Sequence, residues 1–346
     1  MSKTLQDYAT LINDTIQSNE INHYITTDNM CQNLGGIDTF KNINIPQGKV
    51  RSFQKDDVLL SNIRLYFRKV YRAKQKGGCS SDVLVFRAKH IDSATLFAIL
   101  SSQIFTDYAC SGSQGSKMPR GNKTHMMDFK IPTINFTIAK IFNSIQNKIE
   151  NNHKINELLH TLAYKIYEYY FKYKPKKAKL EQIIIENPKS SIMVKNAQKT
   201  QDKYPFFTSG DNILFYPKAI IDGRNCFLNT GGNAGIKFYV GEASYSTDTW
   251  CICANEFSDY LYLLLSSIKT HINQSFFQGT SLKHLQKNLL KKYPIYMPST
   301  HEIKKFNQII MPLLTLISIN TRTSKKLEQI RDFLLPLLLK QQVKPQ

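Results

Sequence analysis

The sequence is poor in acidic residues and carries no motif of a familiar catalytic site. Asp and Glu number 26 against 46 Lys and Arg, which gives a formal net charge of +20. An excess of this size concerns partners rather than fold, and a polyanion such as nucleic acid is the natural partner for it. The alternative is a charge that serves solubility alone. No H-E-x-x-H, G-x-S-x-G, kinase or G-K-[ST] phosphate-loop motif occurs.

Motifs of DNA-modifying enzymes are absent as well. The sequence lacks the Asn/Asp-Pro-Pro-Tyr/Phe motif and the glycine-rich cofactor loop of adenine-N6 methyltransferases, and it lacks a Pro-Asp…Asp/Glu-x-Lys nuclease pattern. We therefore expect a non-catalytic chain. The rival interpretation is a nuclease or methyltransferase with a degenerate motif, which would bind S-adenosylmethionine or cleave DNA with a metal ion.

Metal-binding and membrane-spanning patterns are also missing. The six cysteines include no C-x-x-C pair and the eight histidines are scattered, so no zinc site is indicated. Cys251 and Cys253 lie in the strand-like run TWCICA and are expected to be buried thiols. The N-terminal MSKTLQDYATL has no apolar signal core, and the longest apolar run, 309–319, is too short to cross a bilayer. These features predict a cytoplasmic protein without a bound metal.

What the sequence does contain is an internal repeat with an offset of about 165–175 residues. Each match is weak, but the matches keep the same order along the chain. They are Leu5 with Leu180, DVLLS (57–61) with CFLNT (226–230), SSDVLVF (80–86) with STDTWCI (246–252), LFAILSS (96–102) with LYLLLSS (261–267), and Gly115-Ser116 with Gly279-Thr280.

Each half ends in a long segment whose apolar residues recur every three or four positions, as in a helix with a seam. The seam predicted after Pro132 is Ile138, Ile141, Ile145, Ile149, Ile155, Leu159, Leu162, Ile166 and Tyr170. The seam predicted after Pro298 is Ile303, Phe306, Ile310, Leu314, Ile317, Leu327, Ile330, Leu334 and Leu337. We expect the two helices to pack on each other in antiparallel, coiled-coil fashion and to act as a spacer.

Several residues of these helices carry more specific expectations. Ser299 or Thr300 can cap the second helix, with Glu302 in its first turn. Pro312 and Pro336 should kink or shorten it. Asn152 and Asn320 sit at seam-like positions, where a polar residue either fixes the register or marks a change of face.

The remaining segments, 1–131 and 175–297, are predicted to be two mixed α/β modules with many short strands. The predicted organisation is therefore of the α+β class, a pseudo-two-fold repeat of module and helix. Its segments are a module at 1–131, a helical spacer at 132–174, a module at 175–297 and a second helical spacer at 298–346.

Basic and polar residues of the modules are the predicted contacts to DNA. Lys and Arg would bind phosphates, Arg could recognise guanine, and Asn could recognise adenine. For each single residue the alternative is a solvated surface charge. In the first module the candidates are Arg64, Arg68, Lys69, Arg72, Lys117, Arg120 and Lys123. In the second module they are Arg224, Thr230, Asn233, Lys237, Lys283, His284 and Lys287. The TGGNAG segment (230–235) is either a tight turn or a close approach of the backbone to a phosphate.

Taken in order, these segments resemble the specificity subunit of type I restriction–modification systems. The segments that resemble the first target-recognition domain are DVLLSNIR (57–64), GGCSSDVLVFRA (77–88) and GSKMPRGNKTHMMDFKIP (115–132). Those that resemble the second are YPFFTSG (204–210), CFLNTGGNAG (226–235), YSTDTW (245–250), YLYLLL (260–265) and GTSLKHLQKNLLKKYPIYMP (279–298).

The resemblance implies a non-catalytic subunit in which each recognition domain binds one half of an interrupted double-stranded DNA site. It implies that the helices set the separation of the halves and dock two methyltransferase (modification) subunits. Those partners, not this chain, would bind S-adenosylmethionine, and a translocase–nuclease (restriction) subunit can join the complex. Two alternatives remain open: the specificity subunit of a fused methyltransferase–nuclease, and a helical interaction or inhibitor protein without sequence-specific DNA binding.

Overall fold

The computed structural model describes residues 3–38, 43–131, 133–197, 203–210, 213–280 and 282–339. Pro132 and residues 340–346, which the predicted helical spacers include, lie outside the described residues. The chain divides into two compact units, Met1–Asn151 with Ser324–Gln346, and Asn152–Thr323. This division falls inside both long helices, whereas the predicted domain boundaries lie at their ends. The predicted boundaries therefore stay a prediction.

The first unit contains two four-stranded sheets. Its strands are β1 (Ala9–Ile12), β2 (Thr15–Gln17), β3 (Tyr24–Ile25), β4 (Lys49–Phe53), β5 (Val58–Ser61), β6 (Val70–Arg72), β7 (Gly77–Cys79) and β8 (Val83–Ala88). Its helices are α1 (Leu5–Tyr8), α2 (Ser93–Leu100), α3 (Gln103–Ser111), α4 (Lys123–Met127), the first part of α5 (Phe136–Phe171) and the last part of α10 (Thr300–Leu338). One sheet has the antiparallel order β1-β8-β5-β6, and the other has the order β2-β4-β7-β3 with β3 and β7 parallel.

The local sequence explains why this core forms. Strands β5 and β8 are apolar runs buried on both faces, because α2 covers one face with five consecutive apolar residues, 96–100, and the second sheet covers the other face. Asp92 begins α2 by accepting a hydrogen bond from the Thr95 N–H at 2.9 Å, and Ser102 begins α3 in the same way with Phe105 at 3.2 Å. Such N-caps stabilise a helix start by about 1 kcal/mol.

The second unit repeats this plan. Its strands are β9 (Ala178–Lys179), β10 (Ile185–Glu186), β11 (Tyr204–Phe207), β12 (Leu214–Tyr216), β13 (Arg224–Asn229), β14 (Ile236–Val240), β15 (Ser244–Tyr245), β16 (Thr249–Cys253), β17 (Phe277–Gln278), β18 (His284–Leu285) and β19 (Pro294–Ile295). Its helices are α6 (Val194–Ala197), α7 (Ser258–Ser267), α8 (Lys269–Ser275), α9 (Lys287–Lys291) and most of α10 (Thr300–Leu338), together with the second part of α5.

The repeat predicted from the sequence is confirmed at the level of topology. The antiparallel sheet β10-β16-β13-β14 corresponds to β1-β8-β5-β6, and the parallel pair β11–β15 corresponds to β3–β7. Even single contacts recur, since the N–H of Leu5 donates to Phe129 at 2.9 Å and the N–H of Leu180 donates to Tyr293 at 2.9 Å. The predicted mixed α/β class with long helices is therefore confirmed.

Both long helices are observed, as α5 and α10. Ser299 caps α10 as expected: its hydroxyl accepts from the Glu302 N–H at 3.3 Å, and Glu302 accepts from the Ser299 N–H at 2.9 Å. Of the two expected effects of Pro312 and Pro336, the shortening is wrong, because α10 continues through both residues. A kink at either residue stays a prediction. A proline inside a helix costs about 3 kcal/mol. Buried side chains on either side of Pro312, at Ile310 and Leu314, offset this cost.

Within each unit the two helices run antiparallel. In the first unit, the Asn135 N–H donates to the Leu338 carbonyl at 3.1 Å, and Arg331 Nη1 donates to Gln146 Oε1 at 2.9 Å. In the second unit, Asn320 Nδ2 donates to Asn156 Oδ1 at 3.0 Å, and the rings of Tyr170 and Phe306 lie 5.9 Å apart.

The seam differs from the predicted one at particular residues. Four predicted seam residues are exposed instead: Ile141, Ile155, Leu162 and Ile330. Polar residues occupy seam positions in their place, and the buried ones are Gln146, Asn152, Ser318, Ser324 and Arg331. Asn152 is buried in the seam as predicted, and the half-buried Asn320 donates to Asn156 of α5. Whether these asparagines fix the register stays a prediction.

Candidate nucleic-acid interface

In the first unit, a group of basic residues meets where the chain leaves β5. We call this group cluster 1; it consists of Arg64, Lys117, Arg120 and Lys123. The N–H of Arg64 donates to the carbonyl of Pro119 at 2.9 Å, and its Nη2 atom lies 3.5 Å from the carbonyl of Lys117. Two segments that are more than 50 residues apart in the sequence thus form one loop surface.

The charged groups of cluster 1 differ in availability. Arg120 Nη1 lies 2.9 Å from Asp82 Oδ1 in a solvent-exposed pair, a contact that typically stabilises a protein by less than about 1 kcal/mol. The exposed side chains of Lys117 and Lys123 make no hydrogen bond or ion pair with another described residue. Their ammonium groups are therefore available to an anionic ligand.

The other three basic candidates of this unit do not join cluster 1. Arg68 and Lys69 donate to backbone carbonyls within the unit. Arg72 Nη1 donates to Asn143 Oδ1 of α5 at 2.9 Å. These contacts connect β6 and the turn before it to the rest of the unit, so the structure gives the three side chains internal partners. Their contact with DNA stays a prediction.

In the second unit, the turn after β13 meets the β17–β18 hairpin. We call the candidate residues at this place cluster 2; it consists of Thr230, Asn233, Lys283 and His284. The N–H of Leu285 donates to Thr230 at 3.0 Å, and the N–H of Gly232 donates to Lys283 at 2.9 Å. Asn233, Lys283 and His284 are exposed.

The two clusters occupy the same place in the repeated topology. In the first unit the N–H of Asn62, just after β5, donates to the carbonyl of Asp82 at 2.7 Å. In the second unit Thr230, just after β13, donates to the carbonyl of Asp248 through its N–H at 3.2 Å and its hydroxyl at 2.7 Å. Reasoning from the sequence missed these two aspartates as supports of the clusters. The signal was present, because they are matched in SSDVLVF and STDTWCI.

Lys237 does not present its charge on the cluster 2 surface. Its Nζ atom donates to the carbonyls of Thr208 and Gly210, both at 2.6 Å, and lies 3.4 Å from Asn229 Oδ1. The side chain thereby holds the segment after β11 against the β13–β14 hairpin.

Arg224 is likewise engaged within the unit. Its Nε and Nη2 atoms donate to the buried Asp259 at 2.7–3.0 Å, and its Nη1 atom donates to Thr315 of α10 at 3.0 Å. Burial raises the pKa of the Asp259 carboxyl, and the Arg224 guanidinium opposes this shift. The ion pair connects β13, α7 and α10 within this unit. DNA contact by Lys237 and Arg224 stays a prediction.

Lys287, the last candidate, begins α9 above an aromatic ring. Its Nζ atom lies 5.2 Å from the ring centroid of Trp250, a cation–π geometry. Partial burial lowers the pKa of Lys287. The indole N–H of Trp250 in turn donates to Glu186 at 2.8 Å. Lys287 is therefore held in place by the unit itself.

The glycine-rich TGGNAG segment is the six-residue connection between the antiparallel strands β13 and β14, which is longer than the tight turn of the first interpretation. Gly232 has φ +80° and a Cβ there would meet no atom within 4 Å. Gly235 is required for space, because its Cβ would lie 2.2 Å from Asn229 Nδ2. The approach of a phosphate to this turn stays a prediction.

Two kinds of feature are absent from the described residues. No three His, Cys, Asp or Glu side chains of the described ranges lie together in a group that could hold a metal ion. No described helix combines the length and the apolar character that a membrane span needs.

The repeated sheets and the repeated clusters define a duplicated, two-module protein with a strongly basic composition. Residues 176–329 match the family model for the type I restriction modification DNA specificity domain. The match covers a little under half of the chain and agrees with the resemblance that the sequence indicated.

A solved structure is similar to this chain in fold. The S subunit of a type I restriction-modification system from M. genitalium is similar over 99% of this chain and 96% of its own, with a TM-score of 0.63 and 14% identity. At this identity the likeness shows the fold alone. The HsdS subunit from Thermoanaerobacter tengcongensis covers 98% of this chain and 96% of its own, with 14% identity and a TM-score of 0.37. No curated protein matches the sequence.

Proposed function

We propose that this chain is the DNA-recognition subunit of a restriction–modification complex, and that each module recognises one half of an interrupted double-stranded DNA site. The family of residues 176–329 supports the recognition of DNA. One observation carries the rest: clusters 1 and 2 occupy equivalent places in two repeated folds but contain different residues. Equivalent position with different side chains is the expected form of two modules that bind unlike sequences.

The residues of the clusters suit two kinds of contact. The exposed ammonium groups of Lys117, Lys123 and Lys283 suit phosphates, which give affinity without sequence information. The exposed side chains of Asn233 and His284 suit base edges, which give specificity. Because the two modules are in one chain, binding of the first raises the effective concentration of the second at its half-site.

The long helices offer apolar surface for partner subunits. In the second unit, exposed Ile155, Leu158 and Leu162 follow one another on α5 at spacings of three and four residues, and Leu316 and Ile319 are exposed on α10. Contiguous exposed apolar surface of this kind typically marks a protein interface. We infer that it docks helices of two methyltransferase (modification) subunits. Those subunits would bind S-adenosylmethionine, and a translocase–nuclease subunit would join where the system also cleaves DNA.

Methylation mapping tests the proposal. The chain is co-expressed with its modification subunits in a host without other methylation, and modified sites are mapped with the wild type and with Asn233→Ala/His284→Ala. We expect a bipartite site with the wild type, and relaxed specificity in one half only with the variant. The matched control, Asn288→Ala/His301→Ala, changes exposed residues outside cluster 2 and should leave the site unchanged. An identical methylation pattern in the absence of the chain would refute the proposal.

A further inference from the structure

A second basic surface lies in the second unit, at the end of α5 and in the segment that follows it. We call residues 165–179 the basic segment. It contains six exposed lysines: Lys165, Lys172, Lys174, Lys176, Lys177 and Lys179. Carboxylates compensate this charge only in part. Glu168 pairs with Lys165 and Lys172 at 3.4 and 2.6 Å. Lys174 and Lys179 pair with one carboxylate each at longer distances of 3.6 and 3.7 Å.

Tyrosines accompany these lysines. Tyr169 and Tyr173 are 87% and 90% exposed, which is unusual for large aromatic side chains. Other rings hold the ammonium groups in place. Lys176 Nζ lies 3.4 Å from the Tyr293 hydroxyl and 5.4 Å from its ring centroid, and Lys174 Nζ lies 5.8 Å from the Tyr296 ring. The charges are thus partly positioned before any ligand binds.

This concentration of charge does not serve the fold. Like charges at such spacing repel one another and destabilise the compact state. Water and salt screen this repulsion between exposed charges in part, and a bound polyanion offsets it directly. The segment 165–179 contains no Arg, Asn or Gln, the side chains that most often recognise base edges. Its chemistry therefore suits phosphates. A protein partner is the less suitable ligand, because lysine is depleted at protein–protein interfaces.

We propose that the basic segment is an additional contact to the phosphates of double-stranded DNA, independent of base sequence and separate from clusters 1 and 2. The proposal rests on the proposed function, which makes DNA the polyanion at hand. In this role the lysines contribute affinity and a steeper salt dependence, and the exposed tyrosines contact the sugar–phosphate backbone.

The test removes four charges from the full-length chain in the variant Lys172→Gln/Lys174→Gln/Lys176→Gln/Lys177→Gln. Its binding to a target duplex and to a duplex without the target is measured over a range of salt concentrations. We expect the slope of log K against log salt to fall by about 2–3, since each engaged lysine releases about 0.9 counterion. We expect the same fold-loss on both duplexes and an unchanged methylation site. The control Lys218→Gln/Lys269→Gln/Lys304→Gln/Lys305→Gln removes equal charge from exposed positions elsewhere and should change the slope much less.

The outcomes separate the alternatives. A slope equal to that of the wild type overturns the proposal. Unchanged DNA binding together with lost assembly of the modification subunits overturns it as well, and identifies an acidic protein partner instead. A reduced slope in a chain that shows no preference for its target would support the basic segment while refuting the proposed function. Thermal melting of the variant establishes that it is folded, since all four side chains are exposed.

Discussion

At the scale of single residues, lysines that look alike in the sequence have different surroundings. Lys237 donates to two backbone carbonyls at 2.6 Å, whereas the side chain of Lys283 is exposed. We expect Lys237→Met to destabilise the protein by about 1–3 kcal/mol, because two carbonyls lose a charged donor. Lys283→Met should leave the stability unchanged and lower the salt slope of DNA binding by about 0.9. Thermal melting and binding titrations measure both, and equal melting temperatures would contradict the assignment.

Cluster 1 gives a second prediction at this scale. Replacement of Lys117, Arg120 and Lys123 by Gln should weaken DNA binding and flatten its salt dependence. The contribution of Arg120 should be the smallest of the three, because Asp82 already compensates its charge at 2.9 Å. Fluorescence titrations of DNA with the three single variants and the triple variant measure the contribution of each residue to the affinity and to its salt dependence. An unchanged slope in the triple variant would remove this loop from the interface.

The sequence indicates where charge accumulates but not which charges are available to a ligand. Arg224 was a candidate for DNA contact, yet it donates to Asp259, 35 residues later, and to Thr315, 91 residues later. Such partners are brought together only by the fold, so no local pattern indicates them. The exposed Lys117 and Lys283, by contrast, lie in Gly-containing loops whose position after the α/β core was predictable from the repeat.

At the scale of elements, the helical period predicted both long helices but not the whole seam. Apolar residues such as Ile155 and Leu162 fit the period as well as the true seam does, and α5 buries Asn152 and Gln146 instead. Which of the two faces of α5 is buried depends on the contacts that its side chains make with α10. The Arg331 guanidinium donates to Gln146 in the first unit, a contact between residues 185 positions apart. A single-helix pattern cannot contain this information.

The asparagine pair of the second unit gives an element-scale prediction. Asn320 Nδ2 donates to Asn156 Oδ1 at 3.0 Å, and Asn156 donates to Thr321 at 3.3 Å. Asn320→Leu should cost about 1–3 kcal/mol, because it leaves a half-buried amide oxygen unsatisfied. The double variant Asn156→Leu/Asn320→Leu should recover most of this loss, since both polar groups are then removed. A double-mutant cycle by chemical denaturation gives the coupling, and a value of zero would contradict the pairing.

The start of α10 gives a prediction with a pH dependence. The Ser299 N–H, followed by the Tyr296 hydroxyl, lowers the pKa of Glu302 from 4.5 to about 2. A carboxyl whose pKa is lowered in the folded state contributes stability above its unfolded pKa and loses it as the pH falls towards the folded pKa. Glu302→Ala should therefore cost about 1 kcal/mol at pH 7, as for other N-terminal caps. Denaturation at pH 7, 4 and 2 should show this difference decreasing, with most of it lost at pH 2, where the Glu302 carboxyl is about half protonated. A constant difference would contradict the charge as its cause.

At the scale of the whole molecule, duplication and divergence are separable features of the chain. The offset of about 165–175 residues predicted the repeated topology, because apolar strands and helices must keep their pattern to form a core. The surface clusters have no such constraint. Arg64 and Lys117 in the first unit stand where Thr230 and Lys283 stand in the second. The repeated architecture holds the two clusters in equivalent places, and the residues that differ between the clusters can bind different DNA sequences.

The continuous course of both helices through the boundary between the units gives the last prediction. Residues 151 and 152 lie within α5, and residues 323 and 324 lie within α10. Four residues inserted into α5 alone would shift its antiparallel pairing with α10 in one unit, so we expect assembly to fail.

Insertions of four residues at both boundaries keep the pairing in each unit and lengthen the helices by about 6 Å. If the helices set the gap between the half-sites, methylation mapping should then show a gap longer by about two base pairs, at about 3.4 Å each. Four residues inserted into the exposed loop 43–48 are the control and should leave the gap unchanged. An assembled double-insertion complex that methylates with the original gap would show that the helices do not act as the ruler.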